Sequence, residues 1–203
     1  MNAVSHRRSA GIAALAFLVL LAPPIRHGLE ASMTAQMLLQ MPLLVGVGWL
    51  LSHALPARAL AGVARWNHRG ITGLVLASVA GAYWMLPRTL DASVTVPLLG
   101  AAKYLALPLL IGMPFALGWP RMGFIVRGVF LLELIATFFR LGWLYLISPE
   151  RLCNNYLLDD QQRLGRYMLV IGAALFLGVA AKLLWGRFDL LADRGPASAP
   201  PVR

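Results

Sequence analysis

Six long apolar runs, separated by connections that hold most of the 18 Lys and Arg residues, constrain this chain more than any other feature. An α-helix of about 20 apolar residues crosses ~30 Å of hydrocarbon and satisfies all of its backbone polar groups internally. The runs predict spanning helices at residues 10–25, 33–55, 70–86, 97–119, 123–147 and 165–185. Charged residues make up 13% of the chain, about half the roughly 25% of a soluble domain. The expected fold is therefore an all-α integral membrane protein, a six-span helix bundle over residues 10–188. A short amino terminus (1–9) precedes it, and a tail (189–203) follows. That tail's Pro-Ala-Ser-Ala-Pro-Pro stretch cannot pack a core, so disorder is expected there.

The first run, after His6-Arg7-Arg8 and before Pro23-Pro24, is short for a span and resembles the apolar core of a signal peptide. No small-x-small cleavage motif follows it, so an uncleaved helix is expected; cleavage leaves the remaining topology unchanged. Pro56, Pro87, Pro120 and Pro149 stand just past the second to fifth runs, where proline cannot continue a helix.

Charge sets the orientation. With the amino terminus inside, Arg7, Arg8, Arg58, Arg65, Arg69, Arg121, Arg187 and Arg194 face the cytoplasm, with Arg127 just above it. The outer connections hold Arg26, Arg88, Arg151, Arg163 and Arg166, offset by Glu30, Asp91, Glu150, Asp159 and Asp160. Basic residues concentrate on the cytoplasmic side of inserted helices, so both termini are expected inside. Arg outnumbers Lys 16 to 2, a habit of GC-rich bacterial genomes, and the expected location is a bacterial inner (cytoplasmic) membrane, crossed several times. The net charge of +10 is read as topology and contact with anionic lipid, not as a nucleic-acid surface, since no basic cluster is interleaved with exposed aromatics. The single Cys153 excludes an intrachain disulfide and a multi-cysteine zinc site. No internal or inverted repeat is visible.

Four charged groups set deeper within the runs need explanation: Lys103, Glu133, Arg140 and Lys182. Each costs about 2.5–3.5 kcal/mol at the bilayer centre. Lys182 lies near the inner end, where its stem can snorkel to the interface. Glu133 and Arg140 share a helix face about 10 Å apart by helical rise, which predicts separate partners, with Lys103 as a bridge from the fourth helix. Gln36 and Gln40 stack at i and i+4. Together with Lys103, Tyr104 and Arg140 they are expected to form one polar layer toward the outer face. Met33, Met37 and Met41 make a thioether stripe, a soft Cu(I) donor set or simple packing. The connection 148–165 is the richest in hydrogen-bonding groups and is the expected partner surface, through Cys153, Asp160, Gln161 and Gln162. The same Asp160-Gln161-Gln162 run is also placed to cap the last helix.

Several motifs occur in a shared order over roughly 33–186. They are Gln36-Met37-Leu38-Leu39-Gln40 before Pro42-Leu43-Leu44; Trp84-Met85-Leu86-Pro87 with Leu90-Asp91-Ala92; Pro97 with Ala101-Ala102-Lys103-Tyr104; and Asp160-Gln161-Gln162-Arg163-Leu164-Gly165-Arg166-Tyr167-Met168. Their order and spacing resemble the multi-span CtaG-like family of cytochrome c oxidase assembly factors, in a degenerate form. The resemblance implies a helical membrane bundle that serves oxidase maturation and copper handling. Where that family has histidines, this chain has Gln36, Gln40 and Tyr104, which are poor copper ligands.

The function expected is a non-catalytic membrane accessory protein whose partners are the bilayer and a respiratory oxidase subunit. No cofactor is expected from the residues themselves; copper is the one metal the resemblance implies. The alternative, from another class, is a small transporter or permease using Lys103, Glu133 and Arg140. No HExxH pair, Ser/His arrangement or carboxylate pair on any run points to an enzyme.

Overall fold

The computed structural model describes residues 3–185, so the expected 189–203 tail lies outside the described residues. The described residues are helical, with no strand: α1 (Ala3–Leu21), α2 (Pro23–Glu30), α3 (Met33–Ser52), α4 (Ala57–Trp66), α5 (Ile71–Trp84), α6 (Pro87–Thr95), α7 (Pro97–Arg121), α8 (Phe124–Ile147) and α9 (Leu158–Trp185). Three of them, α3, α7 and α9, are long and apolar enough to cross a membrane; α1 with α2 makes a fourth if the bent pair is one span. In α9 only 11% of the most apolar window is buried within the protein, at a mean hydropathy of 2.1. So large an outward apolar surface is stable in hydrocarbon and prone to aggregate in water. The described residues thus form an all-helical bundle with three to four helices suited to crossing a membrane.

The helix boundaries depart from expectation in physically readable ways. The expected continuous segment 10–25 is broken at Ala22, where α1 and α2 meet at 67°. Prolines explain the break and its counterparts. Pro23, Pro87 and Pro97 stand at the first position of α2, α6 and α7, where the missing N–H has no intrahelical partner to lose. Pro23 and Pro87, expected as helix stops, thus start new short helices, while Pro97 opens a long helix where one is expected. The expected 70–86 helix shrinks to the 14 residues of α5. The last helix instead gains about two turns and begins at Leu158.

Two prolines inside long helices are accommodated by widened π segments. Gln36–Gln40 and Leu107–Gly112 are π-helical, and each is followed at once by Met-Pro: Met41-Pro42 and Met113-Pro114. A proline ring presses on the carbonyl four residues back, and a π turn moves that carbonyl aside. The Met41 N–H accordingly reaches the Gln36 carbonyl, and the Met113 N–H reaches that of Pro108.

Helix α3 is central, packed between α1 and α7, while α7 also packs on α5 and α8 pairs with α9. At the α3–α7 crossing the backbones touch. A methyl group added at Gly48 collides with the Pro108 backbone, and one added at Gly112 collides with Val45 and Gly48. Small residues allow this approach, as is common between membrane helices. The core lies toward one end of the bundle. There the amino-terminal halves of α3, α7 and α9 meet the carboxyl-terminal end of α8, around Leu44, Leu107, Tyr145, Leu164 and Met168.

Candidate functional site: a buried polar layer

Within that core lies a fully buried ammonium. Lys103, one and a half turns into α7, has no exposed surface. Its Nζ donates to Glu30 Oε1 at 2.8 Å and to Gln40 Oε1 at 2.9 Å. Gln40 Nε2 in turn donates to the Tyr104 hydroxyl at 2.6 Å, and the Tyr104 oxygen is 3.4 Å from both Glu30 Oε1 and the Leu20 carbonyl. The second Glu30 oxygen accepts from Arg26 Nε at 3.1 Å, one helical turn back on α2. Arg26 and Lys103 also lie 5.5 Å and 5.3 Å from the Tyr104 ring centre, within cation–π range. Side chains from three helices, α2, α3 and α7, thus converge on one carboxylate.

A second set adjoins the first through Gln36, also fully buried. Gln36 Nε2 donates to Ser93 Oγ of α6 at 3.2 Å, and Gln36 Oε1 accepts from the Tyr156 hydroxyl. Tyr156 is also 3.0 Å from the Glu30 carbonyl, so the connection before α9 is tied into the layer. Burial first, and then the nearby Glu30 carboxylate, raise the Tyr156 hydroxyl above the ordinary phenol range, so it remains a donor.

Of the five residues expected in one layer, the structure brings Gln36, Gln40, Lys103 and Tyr104 together and leaves Arg140 out. Arg140 sits on α8 with its side chain 64% exposed and pairs with Glu133, which is equally exposed. The seven-residue spacing was expected to prevent a direct pair. It does not, because side chains on a helix lean toward the amino terminus. The long Arg140 stem therefore reaches back to the Glu133 carboxylate, with Thr137 Oγ1 3.3 Å from its guanidinium on the way. Lys103 bridges to Glu30 instead, so Lys103, Glu133 and Arg140 do not line one path. Glu30, Arg26, Ser93 and Tyr156 were not anticipated in the layer. The one sequence signal for the first two was the i, i+4 spacing of Arg26 and Glu30 beside Pro23-Pro24.

The connection 148–165 folds inward. Cys153 is 2% exposed, with Sγ 3.3 Å from the Pro87 carbonyl. Burial, and secondarily the Asp91 carboxylate, push its thiol up to about 12. Gln161 is buried as well; its Oε1 accepts from the Leu152 N–H at 2.9 Å, and its Nε2 is 3.4 Å from the Tyr145 and Glu150 carbonyls. Asp160 caps a helix, but a different one from that expected. It lies within the first turn of α9 and accepts from Ser32 Oγ and Thr34 Oγ1, each at 2.9 Å, and from the Met33 N–H, all at the start of α3. A carboxylate is stabilised there by the free N–H groups and positive dipole end. Gln162 is half-buried. Asn155, exposed, is held by three hydrogen bonds to Asp91.

The residues do not fit a copper ion. Gln36, Gln40 and Tyr104 have their polar atoms engaged with one another and with Glu30, Ser93 and Tyr156, and the Lys103 ammonium lies among them where it would repel a metal cation. Met33, Met37 and Met41 are packed in the core, and the Met37 sulfur is 3.9 Å from the Tyr145 hydroxyl. Among the described residues no three His, Cys, Asp or Glu side chains group as a metal site. The layer binds helices to one another; its donors and acceptors are internally matched. Comparison with known protein families, curated proteins and solved structures finds no match to this chain.

Proposed function

We propose that the chain is a non-catalytic accessory protein of a bacterial inner membrane, resembling oxidase assembly factors in its motifs, that acts by holding a partner's membrane helix. In this reading it makes six crossings, α5 and α8 included, with both termini in the cytoplasm and no copper of its own. The observation that carries the reading is the division of polar groups at membrane depth. Those of the inner layer are paired and sealed, whereas Glu133 and Arg140 form an ion pair on the outer face of α8, each 64% exposed.

An ion pair facing lipid is expensive, since each charge costs about 2.5–3.5 kcal/mol near a helix centre. A helix laid over it, offering an amide or hydroxyl, relieves that cost. Beside the pair runs an apolar cleft of about 470 Å³ between α5, α7 and α8, lined by Ala77, Met85, Ile111, Phe115, Phe130 and Thr137. The proposed occupant is a membrane helix of a respiratory oxidase subunit.

Deleting the gene and measuring assembled oxidase and its copper content tests this. Oxidase should fall in the deletion strain and be restored by the wild-type chain, but not by a stably inserted Glu133→Leu/Arg140→Leu variant. Normal oxidase in the deletion strain refutes the accessory role; full rescue by the double variant refutes the assigned surface.

A further inference from the structure

At the end of the bundle opposite the polar layer, α8 and α9 leave a groove of about 730 Å³ lined by Trp119, Arg127, Leu131, Phe176, Val179 and Lys182, among others. Its walls are apolar and aromatic. Its polar groups are two cations, and none of its lining residues is acidic. Arg127 is three residues inside the start of α8, about 5 Å in and at headgroup depth for a spanning helix, and Lys182 lines the same groove three residues before the last described residue of α9.

Neither cation is neutralised by the described residues. Arg127 gives one Nη2 hydrogen to the Trp119 carbonyl at 2.8 Å and lies 5.2 Å from that indole's centre, but its Nε is buried without a partner. Lys182 forms no ion pair with any described residue. A half-buried guanidinium with no carboxylate partner among the described residues favours an anion beside it. The groove continues from these cations along Leu131, Ile135, Phe176 and Val179, side chains suited to hydrocarbon.

The geometry points to a binding site for an anionic phospholipid: the phosphate between Arg127 and Lys182, an acyl chain along the α8–α9 groove. The requirement for both a negative headgroup and a tail follows from the cationic mouth and the apolar length behind it. Basic pockets between membrane helices hold acidic lipids on this principle.

The test is native mass spectrometry of the full chain in detergent, titrated with dioleoyl phosphatidylglycerol or dioleoyl phosphatidylcholine. Wild-type protein should retain the glycerol lipid and release the choline lipid. Arg127→Gln/Lys182→Gln should weaken phosphatidylglycerol binding about thirtyfold, from the attraction of each basic side chain for an acidic headgroup. The control pair Arg163→Gln/Arg166→Gln, at the other end of α9, should leave it unchanged. Equal retention of both lipids, or equal loss in both double variants, overturns the site. Displacement of phosphatidylglycerol by millimolar inorganic phosphate also overturns it, because the tail would then contribute nothing. If the first double variant melts abnormally, Lys182→Gln alone decides: about a fivefold loss supports the site, and no loss refutes it.

Discussion

Replacing Lys103 by Met tests the physical basis of the buried layer. The substitution keeps an unbranched stem and removes the ammonium that joins Glu30 to Gln40 at 2.8 and 2.9 Å. Glu30, only 8% exposed, then keeps Arg26 as its sole ionic partner. Breaking a buried pair from one side costs about 3–5 kcal/mol. Because Arg26 remains at 3.1 Å, the lower end applies, about 3 kcal/mol. For a chain of this size that corresponds to a fall of roughly 6–12 °C in melting temperature. Removing both charges, in Glu30→Gln/Lys103→Met, should recover part of the loss, since a neutral buried pair leaves no unmatched carboxylate. Thermal unfolding in detergent micelles, followed by tryptophan fluorescence, measures all four corners of the cycle. Additive single effects, or a Lys103→Met protein that melts with wild type, would falsify the account of the layer as an obligate charge network.

Other substitutions have equally direct outcomes. Gly48→Val should abolish accumulation of folded protein, because its side chain meets the Pro108 backbone, whereas Gly46→Val, with open space around it, should accumulate normally; membrane-fraction blots compare them. Asp160→Ala removes the carboxylate that caps the Met33 N–H at the start of α3, leaving Ser32 Oγ on the Ala35 N–H, and should cost about 1–2 kcal/mol in micelle unfolding; Asp160→Asn, which keeps an acceptor, should cost less, and equal losses refute capping. Native Cys153 should resist N-ethylmaleimide at pH 7.5 and react once unfolded, as read by mass shift; native labelling at the unfolded rate refutes its burial. Its thiol, lifted from an ordinary 9.0 to about 12, favours the neutral form in the fold. Its contribution to stability is therefore complete below pH 9 and fades as pH climbs toward 12, which an alkaline melting series measures against Cys153→Ala.

How much of this was legible beforehand differs by residue. Gln36, Gln40, Lys103 and Tyr104 were placed at one depth by helical rise alone, and they meet. Glu30 was assigned to an outer connection by charge counting. Its role depends on the 67° bend at Ala22, which returns α2 toward α7 and which no hydropathy profile encodes. Arg140 was misplaced for a related reason: spacing along a helix gives the distance between backbones, but a long side chain adds its own reach and direction. The inward fold of Cys153, Asp160 and Gln161 was unreadable because polar composition is the same for a tethered loop and a free one. The π segments were foreshadowed only by the two Met-Pro pairs.

The ammonium at the heart of the layer belongs to the polypeptide itself. Unlike a bound ion, it cannot be stripped by a chelator, withheld by nutrient starvation or exchanged for a competing species. Ribosomal synthesis alone guarantees its supply, so the helices around Lys103 can lock together in a cell that has no spare trace elements to offer.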